Sequence, residues 1–135
     1  MLTRIKLFLS KNINFAIETT LATKSYVNLV KQAQAKNYEV TLLFFWLNSQ
    51  ELAIKRVQTR VAEGGHNIPE DVIIRRYTNG LNNFFNLYKS VVNNWMLIDN
   101  SGESYEVIAR GLDNKEDILN NDIWKTLKNN YENNT

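Results

Sequence analysis

The stretch EVTLLFFWL, residues 39–47, is almost continuously apolar. A strand with one face in water alternates apolar and polar residues, whereas a strand covered on both faces is apolar throughout. The stretch therefore predicts a strand of a mostly parallel sheet that has helices on both faces. Asn48 or Ser49 follows as a helix cap, and Glu51 adds a carboxylate that favours the N-terminal end of the helix dipole.

Helices and one short strand are predicted on the N-terminal side of this stretch. Apolar residues spaced by three or four positions predict a helix over residues 2–9. Residues 15–17, Phe-Ala-Ile, have the character of a short buried strand, and Thr23 or Ser25 then caps a second helix. Asn37 tolerates the left-handed conformation that ends many helices, so we expect the second helix to stop there.

The C-terminal side continues the alternation. Pro69 suits the first turn of a long helix whose inner face carries Ile73, Tyr77, Leu81, Phe84, Tyr88 and Val91. Strands are predicted at 95–99 and 105–110, followed by a final helix over 115–129. The large aromatic residues are expected in the core: Trp46, Phe84, Phe85, Trp95 and Trp124. Strands that alternate with helices predict an α/β fold.

The composition limits the number of domains and the classes of partner. A chain of 135 residues with 44% hydrophobic content can build one core. We expect a single domain over residues 1–130 and a polar tail over 131–135. The net charge is only +2, and the basic residues are interspersed with acidic ones. This pattern does not favour a nucleic acid partner.

The chain has no cysteine and a single histidine, His66. These counts exclude a disulfide framework, a thiolate metal site and a histidine-rich metal centre, and we expect no metal site. The longest apolar run, residues 40–47, is too short to span a bilayer. Residues 1–9 lack the long apolar core and the cleavage site of a signal peptide. We therefore expect a cytoplasmic protein.

Polar residues follow each of the three predicted parallel strands. Glu18-Thr19-Thr20 comes after the first strand, Asn48-Ser49 after the second and Asp99-Asn100-Ser101 after the third. Ligands of such sheets bind beyond the carboxyl ends of the strands. We therefore expect these three groups to converge on a binding site.

A glycine loop flanked by arginines lies between two predicted helices. Arg56 and Arg60 are four residues apart, so both project from one side of a helix. The loop GGHNIP, residues 64–69, follows, and Arg75 and Arg76 lie in the next helix. This arrangement suits a lid over a transferring phosphoryl group, whose oxygens share negative charge that guanidinium groups can hold.

Each of these features has a structural alternative. Arginines also serve as solvated residues, and exposure alone accounts for Arg75. Gly64-Gly65 also ends a helix, and His66 is a loop-shaping hydrogen-bonding residue as well as a candidate acid or base. Glu18 has the alternative role of bonding neighbouring backbone amides.

Several short blocks occur in a fixed order along the chain: FAIETTL (15–21), FWL (45–47), ELAI (51–54), RV (56–57 and 60–61), GGHNIP (64–69), IRRY (74–77) and DNS (99–101). Together they resemble the zeta-toxin-like P-loop kinases, a group also described as predicted ABC-type ATPases. The resemblance covers roughly residues 1–105. It implies an incomplete three-layer P-loop NTPase fold of the nucleoside-kinase type, with a mostly parallel sheet flanked by helices.

The resemblance also implies an activity and a site. The activity is ATP- and Mg²⁺-dependent phosphoryl transfer to a small hydroxylated substrate, with UDP-N-acetylglucosamine as a candidate and an antitoxin as a candidate partner. The resemblance implies that Arg60, Arg75 and Arg76 are catalytic arginines of the lid. It implies that Glu18, Thr19 and Thr20 bind the substrate. It further implies that Arg56, Asp99 and Asn100 bind the nucleotide.

One part of the family pattern is absent from these residues. The chain has no Gly-x-x-x-x-Gly-Lys-Ser/Thr phosphate loop, and its first glycine is Gly64. In the family this loop and its strand precede the matched blocks, and that strand lies between those of residues 15–17 and 40–47. We therefore expect an N-terminally truncated kinase that leaves strand edges unpaired and is inactive without a complementing polypeptide.

Two other functions remain as alternatives. The first is a non-catalytic remnant that binds a partner protein through its open sheet edge. The second is nucleic acid binding through the arginine cluster, which the balanced charge does not favour.

Overall fold

The structure, a computed structural model, describes residues 2–133. Within this range the chain forms a mixed α/β fold with these elements: α1 (Leu2–Ser10), α2 (Tyr26–Ala35), β1 (Thr41–Trp46), α3 (Gln50–Ala62), α4 (Glu70–Asn83), a π-helical turn (Phe84–Tyr88), α5 (Lys89–Val91), β2 (Asn94–Asp99), β3 (Glu106–Leu112), β4 (Lys115–Ile118) and α6 (Asn121–Tyr131). No helix in this range is long and apolar enough to cross a membrane.

The sheet has the strand order β1-β2-β3-β4. β1 and β2 are parallel, whereas β2/β3 and β3/β4 are antiparallel. The α/β class with helices flanking a sheet is therefore confirmed, but parallel pairing is confined to β1 and β2. The reason is loop length, because parallel strands need a crossover of about a dozen residues and only residues 100–105 and 113–114 join the later strands.

The predicted final helix over residues 115–129 is wrong in its first part. Residues 115–118 form β4, and α6 begins at Asn121. Asp113 and Asn114 both have positive φ, 50° and 64°, which is the conformation of a two-residue hairpin turn. Asn120 then caps α6, because its Oδ1 accepts a hydrogen bond from the Ile123 amide at 3.2 Å.

The predicted strand at residues 15–17 is also wrong, because this segment pairs with no strand of the described chain. Side chains fix its position instead. The Phe15 ring packs against Phe8 of α1 at 5.4 Å between ring centroids and against Tyr38 at 6.1 Å. The Tyr38 hydroxyl donates to the carbonyl of Ile13 at 2.9 Å, so the segment is fastened to α1 and to the end of α2.

β1 is covered on one face rather than on both. Leu42, Phe44 and Trp46 face the main core, but Leu43 and Phe45 each remain 52% exposed. β1 also lies at the edge of the sheet, so its outer backbone edge faces no strand among residues 2–133. The continuous apolar run predicted that other elements cover both faces of this strand. Among the described residues only one face is covered.

The main core is built of aromatic rings, as predicted. Phe84 is fully buried and contacts Phe44, Phe85 and Trp95 at ring-centroid distances of 5.1–5.5 Å. Trp95 stacks on Trp124 with an interplanar angle of 7°. The rings join α6 and the π turn to the sheet, which fixes the face opposite Leu43 and Phe45.

Candidate functional site

The ends of the two parallel strands meet at one edge of the sheet. The Asn100 amide donates to the carbonyl of Trp46 at 2.8 Å. The Asn48 amide donates to the Ser101 hydroxyl oxygen, also at 2.8 Å. The segments that follow β1 and β2 therefore converge, as the sequence predicted for them.

Arg56 links α3 to this same edge. Its Nη2 donates to the carbonyl of Asn100 at 2.8 Å and to the carbonyl of Ser101 at 3.3 Å. Asp99 accepts a hydrogen bond from the Ser101 amide at 2.9 Å through its Oδ1. The three residues predicted to bind nucleotide, Arg56, Asp99 and Asn100, therefore lie together, and the described contacts shape the loop after β2.

Tyr77 fastens α4 to the end of β1. Its hydroxyl donates to the carbonyl of Leu47 at 2.7 Å. Burial raises the pKa of Tyr77, and Tyr131 raises it further, whereas the indole N–H of Trp46 has the opposite effect. α3 and α4 therefore both reach the carboxyl edge of the parallel pair.

The glycine loop is hydrogen-bonded to Arg60, which lies in the last turn of α3. The Gly65 amide donates to the Arg60 carbonyl at 2.7 Å, and Gly64 has a φ of +99°. A Cβ on Gly65 would come within 2.8 Å of that carbonyl oxygen. Both glycines are thus required by the way the helix ends, and the lid motion remains a prediction.

Three of the predicted lid arginines, Arg60, Arg75 and Arg76, are exposed. Within residues 2–133 none of them forms an ion pair with a carboxylate. Arg75 and Arg76 precede Tyr77 directly, so the backbone places them near the end of β1. Guanidinium groups without carboxylate partners remain available to an anionic ligand.

Glu18, Thr19 and Thr20 are exposed and lie in the irregular segment between α1 and α2. The hydroxyl oxygen of Thr19 accepts from the Leu21 amide at 3.2 Å, and that of Thr20 accepts from the Ala22 amide at 3.4 Å. No described hydrogen bond joins this segment to the loop after β2. Of the third predicted group, Thr20 is placed beside α4, because its carbonyl oxygen packs against Gly80. Among the described residues no hydrogen bond brings this group into the convergence of the other two.

Ser101 belongs to the group predicted after β2, and its hydroxyl joins the ends of both strands. Tyr77 was not predicted as a site residue, because the helical spacing assigned it to the apolar face of its helix. The described residues contain no cluster of three or more histidine, aspartate or glutamate side chains that could hold a metal ion.

A family model described as Zeta toxin matches residues 4–113 of the chain. The match spans well over half of the sequence and includes every candidate residue from Glu18 to Asn100. The chain belongs to the Zeta toxin family. Membership of the Zeta toxin family confirms the predicted resemblance and associates the chain with kinase-like, nucleotide-binding P-loop proteins.

An uncharacterized protein of Haemophilus influenzae (strain ATCC 51907 / DSM 11121 / KW20 / Rd) is 33% identical to the chain over 69 residues. The matched segment is 51% of this chain and 49% of that relative, so the chain spans about half the length of the relative. No solved structure matches the chain significantly.

Proposed function

We propose that this chain carries the arginine-bearing part of an ATP-dependent phosphotransferase of the Zeta toxin family. One observation carries the proposal: the loop after β2 meets helices α3 and α4 at the carboxyl edge of the parallel pair, and these two helices carry the exposed Arg60, Arg75 and Arg76. Ligands of α/β sheets bind at such an edge.

The exposed arginines supply one of the two sets of donors that phosphoryl transfer requires. Arg60, Arg75 and Arg76 can neutralise the equatorial oxygens of a transferring phosphoryl group, a role that fixed guanidinium groups perform well. ATP, with Mg²⁺ bridging its phosphates, would supply the phosphoryl group. These 135 residues contain no glycine-rich loop to surround the β-phosphate, so in this proposal the cradle comes from residues outside them.

The acceptor we propose is a small hydroxylated molecule of the nucleotide-sugar class, with UDP-N-acetylglucosamine as the first candidate. Glu18, Thr19 and Thr20 would contact it, because their side chains are exposed. We further propose that the protein acts in the cytoplasm and is inactive on its own. Its proposed partner is an antitoxin or a complementing polypeptide.

The test combines the chain with a polypeptide that carries the missing phosphate loop and measures ATP turnover with UDP-N-acetylglucosamine. Arg76→Ala should lower turnover by about 10²–10³-fold, the loss typical of one charge-stabilising group. Arg110→Ala is the matched control, because Arg110 is an exposed arginine on β3 that is paired with Asp117. Equal turnover in both variants would remove Arg76 from the mechanism.

A second candidate function is partner binding without catalysis. It is favoured by the outer edge of β1 and by Leu43 and Phe45, which are each 52% exposed. An apolar edge strand is a template for pairing with another chain. Light scattering after size-exclusion chromatography tests this function by measuring self-association of the chain. Phe45→Lys should abolish that association. A wild-type chain that stays monomeric argues against partner binding through this edge.

A further inference from the structure

The segment that precedes α2, residues 20–23, lies along α4 and the π turn. The Thr20 carbonyl oxygen packs so close to Gly80 that a Cβ there would approach it to 2.8 Å. Asn83 Nδ2 donates to the carbonyl of Leu21 at 2.8 Å. One carbonyl of this irregular segment is thus hydrogen-bonded to α4, and the preceding one packs closely against the same helix.

The π turn supplies the third contact. The hydroxyl of Tyr88 donates to the carbonyl of Thr23 at 2.6 Å. Asn83 and Tyr88 are five residues apart, and in a regular α-helix such residues point about 140° away from each other. The wider i to i+5 bonding of a π turn brings them towards the same side. The turn over Phe84–Tyr88 therefore allows both side chains to reach one segment.

Leu21 is the buried residue of this segment. Leu21 is only 3% exposed and has a φ of +60°, a conformation that residues with a side chain rarely adopt. Asn83 is 7% exposed. A buried amide donor needs an acceptor, so the bond from Asn83 to the Leu21 carbonyl favours the left-handed arrangement of Leu21.

The contacts also set the direction of the segment. Thr20 lies at Gly80 and Thr23 lies at Tyr88, so segment and helix advance in the same direction. Glu18 lies two residues before Thr20, a separation of at most about 7 Å along the chain. The helix rises about 6 Å over the four residues between Gly80 and Arg76. This course leads the candidate substrate-binding residues towards the arginine-bearing half of α4.

We propose that Gly80, Asn83 and Tyr88 form a clamp that positions the Glu18–Thr20 segment opposite the arginines of α4. Asn83 and Tyr88 are positioning residues, since both act through the backbone of residues 20–23. The clamp itself stands on the contacts above. Its effect on substrate rests on the proposed function.

The clamp is tested by cleavage with a protease specific for glutamate. Tyr88→Phe removes one hydroxyl and keeps the ring, and Asn83→Ala removes the amide. Each variant should accelerate cleavage after Glu18 by at least about fivefold, the factor for about 1 kcal/mol. Cleavage after Glu103, in the exposed loop before β3, should keep its rate. Tyr105→Phe is the control, because Tyr105 is 68% exposed.

Two results would overturn the clamp: unchanged cleavage after Glu18 in both variants, or equal acceleration after Glu18 and Glu103. If Asn83→Ala does not fold, Tyr88→Phe decides, because it preserves the packing of the ring.

The positioning role has its own measurement in the complemented enzyme. Tyr88→Phe should raise the KM for UDP-N-acetylglucosamine several-fold and leave the KM for ATP unchanged. A variant that merely contains less folded protein lowers kcat and leaves both KM values unchanged, and this outcome would contradict positioning. Absence of turnover in the wild-type mixture counts against the proposed function, whereas the cleavage experiment still decides the clamp.

Discussion

The guanidinium of Arg56 donates a hydrogen bond to the carbonyl oxygen of Asn100 at 2.8 Å, across 44 residues of sequence. The bond joins α3 to the loop that ends β2. A planar guanidinium that also reaches Ser101 at 3.3 Å holds two successive carbonyls with one side chain. In the described structure Arg56 therefore stabilises the conformation of this loop. Its predicted contact with nucleotide stays a prediction.

Arg56→Met should lower the free energy of unfolding by about 1.5–3 kcal/mol, the range for hydrogen bonds to a charged group. Arg60→Met, an exposed arginine one turn later on the same helix, should change it by less than about 0.5 kcal/mol. Urea unfolding followed by tryptophan fluorescence measures both. Equal losses would show that the contacts of Arg56 with the loop contribute nothing of their own.

Gly111→Ala should destabilise the fold by about 3 kcal/mol, the upper end of the range for overpacked cores. Gly111 is paired with Trp95 across the sheet, and an added Cβ would overlap the indole ring. Gly102→Ala is the matched control, since the nearest atom to its added Cβ is the Ser104 carbonyl oxygen at 3.7 Å. Thermal unfolding compares them, and similar melting temperatures would refute the steric explanation.

Lys89→Met should cost about 1–3 kcal/mol of stability. The Lys89 ammonium lies 5.0 Å from the ring centre of Trp124 and 5.7 Å from those of Phe85 and Trp95. It also forms an ion pair with Glu116 of β4 at 3.2 Å, and its side chain is only 13% exposed.

Lys128→Met serves as the control for Lys89→Met. Lys128 of α6 has a 45% exposed side chain and pairs with Glu132, directly after the helix, at 3.8 Å; such i,i+4 pairs contribute at most about 0.5 kcal/mol. Denaturant midpoints of the two variants should therefore differ clearly. A loss no larger for Lys89 than for Lys128 would mean that the ring contacts add nothing to stability.

The stability of the protein should fall with increasing pH above about pH 10, where unfolded tyrosines ionise. Burial raises the pKa of Tyr77, so the folded state keeps this proton to a higher pH than the unfolded state does. The unfolded state therefore loses protons first, and the free energy of unfolding declines between the two pKa values. Burial raises the pKa of Tyr88 as well.

Tyr77→Phe tests this pH dependence by urea unfolding between pH 7 and pH 11. At neutral pH the variant should lose about 0.5–1.5 kcal/mol, because the hydrogen bond to the Leu47 carbonyl is gone. Its decline above pH 10 should be shallower than that of the wild type, whereas Tyr105→Phe should keep the wild-type slope. A parallel decline in all three proteins would exclude a contribution from Tyr77.

Elements with strong local signals were predictable from the sequence. Ser49 caps α3 by accepting from the Leu52 amide at 3.1 Å, and Asn37 adopts a φ of 67° directly after α2. The apolar run at 40–47 contains β1. In each case the deciding interaction lies within a few residues, so composition and spacing carry it.

Elements that depend on distant partners were not predictable. Residues 15–17 have strand character, yet a strand needs a neighbouring strand, and none of the described ones pairs with them. The exposure of Leu43 and Phe45 has the same origin, because coverage of a sheet face is supplied by other parts of the chain. In the candidate site, the residue types pointed to phosphate chemistry, but their separation into a loop cluster and a clamped segment required coordinates.

By itself, the sequence determined the end of α2, the cap of α3, the β1 and β2 strands, the aromatic core and the family. These follow from short-range periodicity, capping chemistry and the order of short blocks. Only the tertiary structure decided that Arg56 fastens the loop after β2 and that Asn83 holds the carbonyl of Leu21, 62 residues away. The physical reason is that a hydrogen bond between distant residues depends on how helices pack against the sheet, and no local pattern encodes that packing.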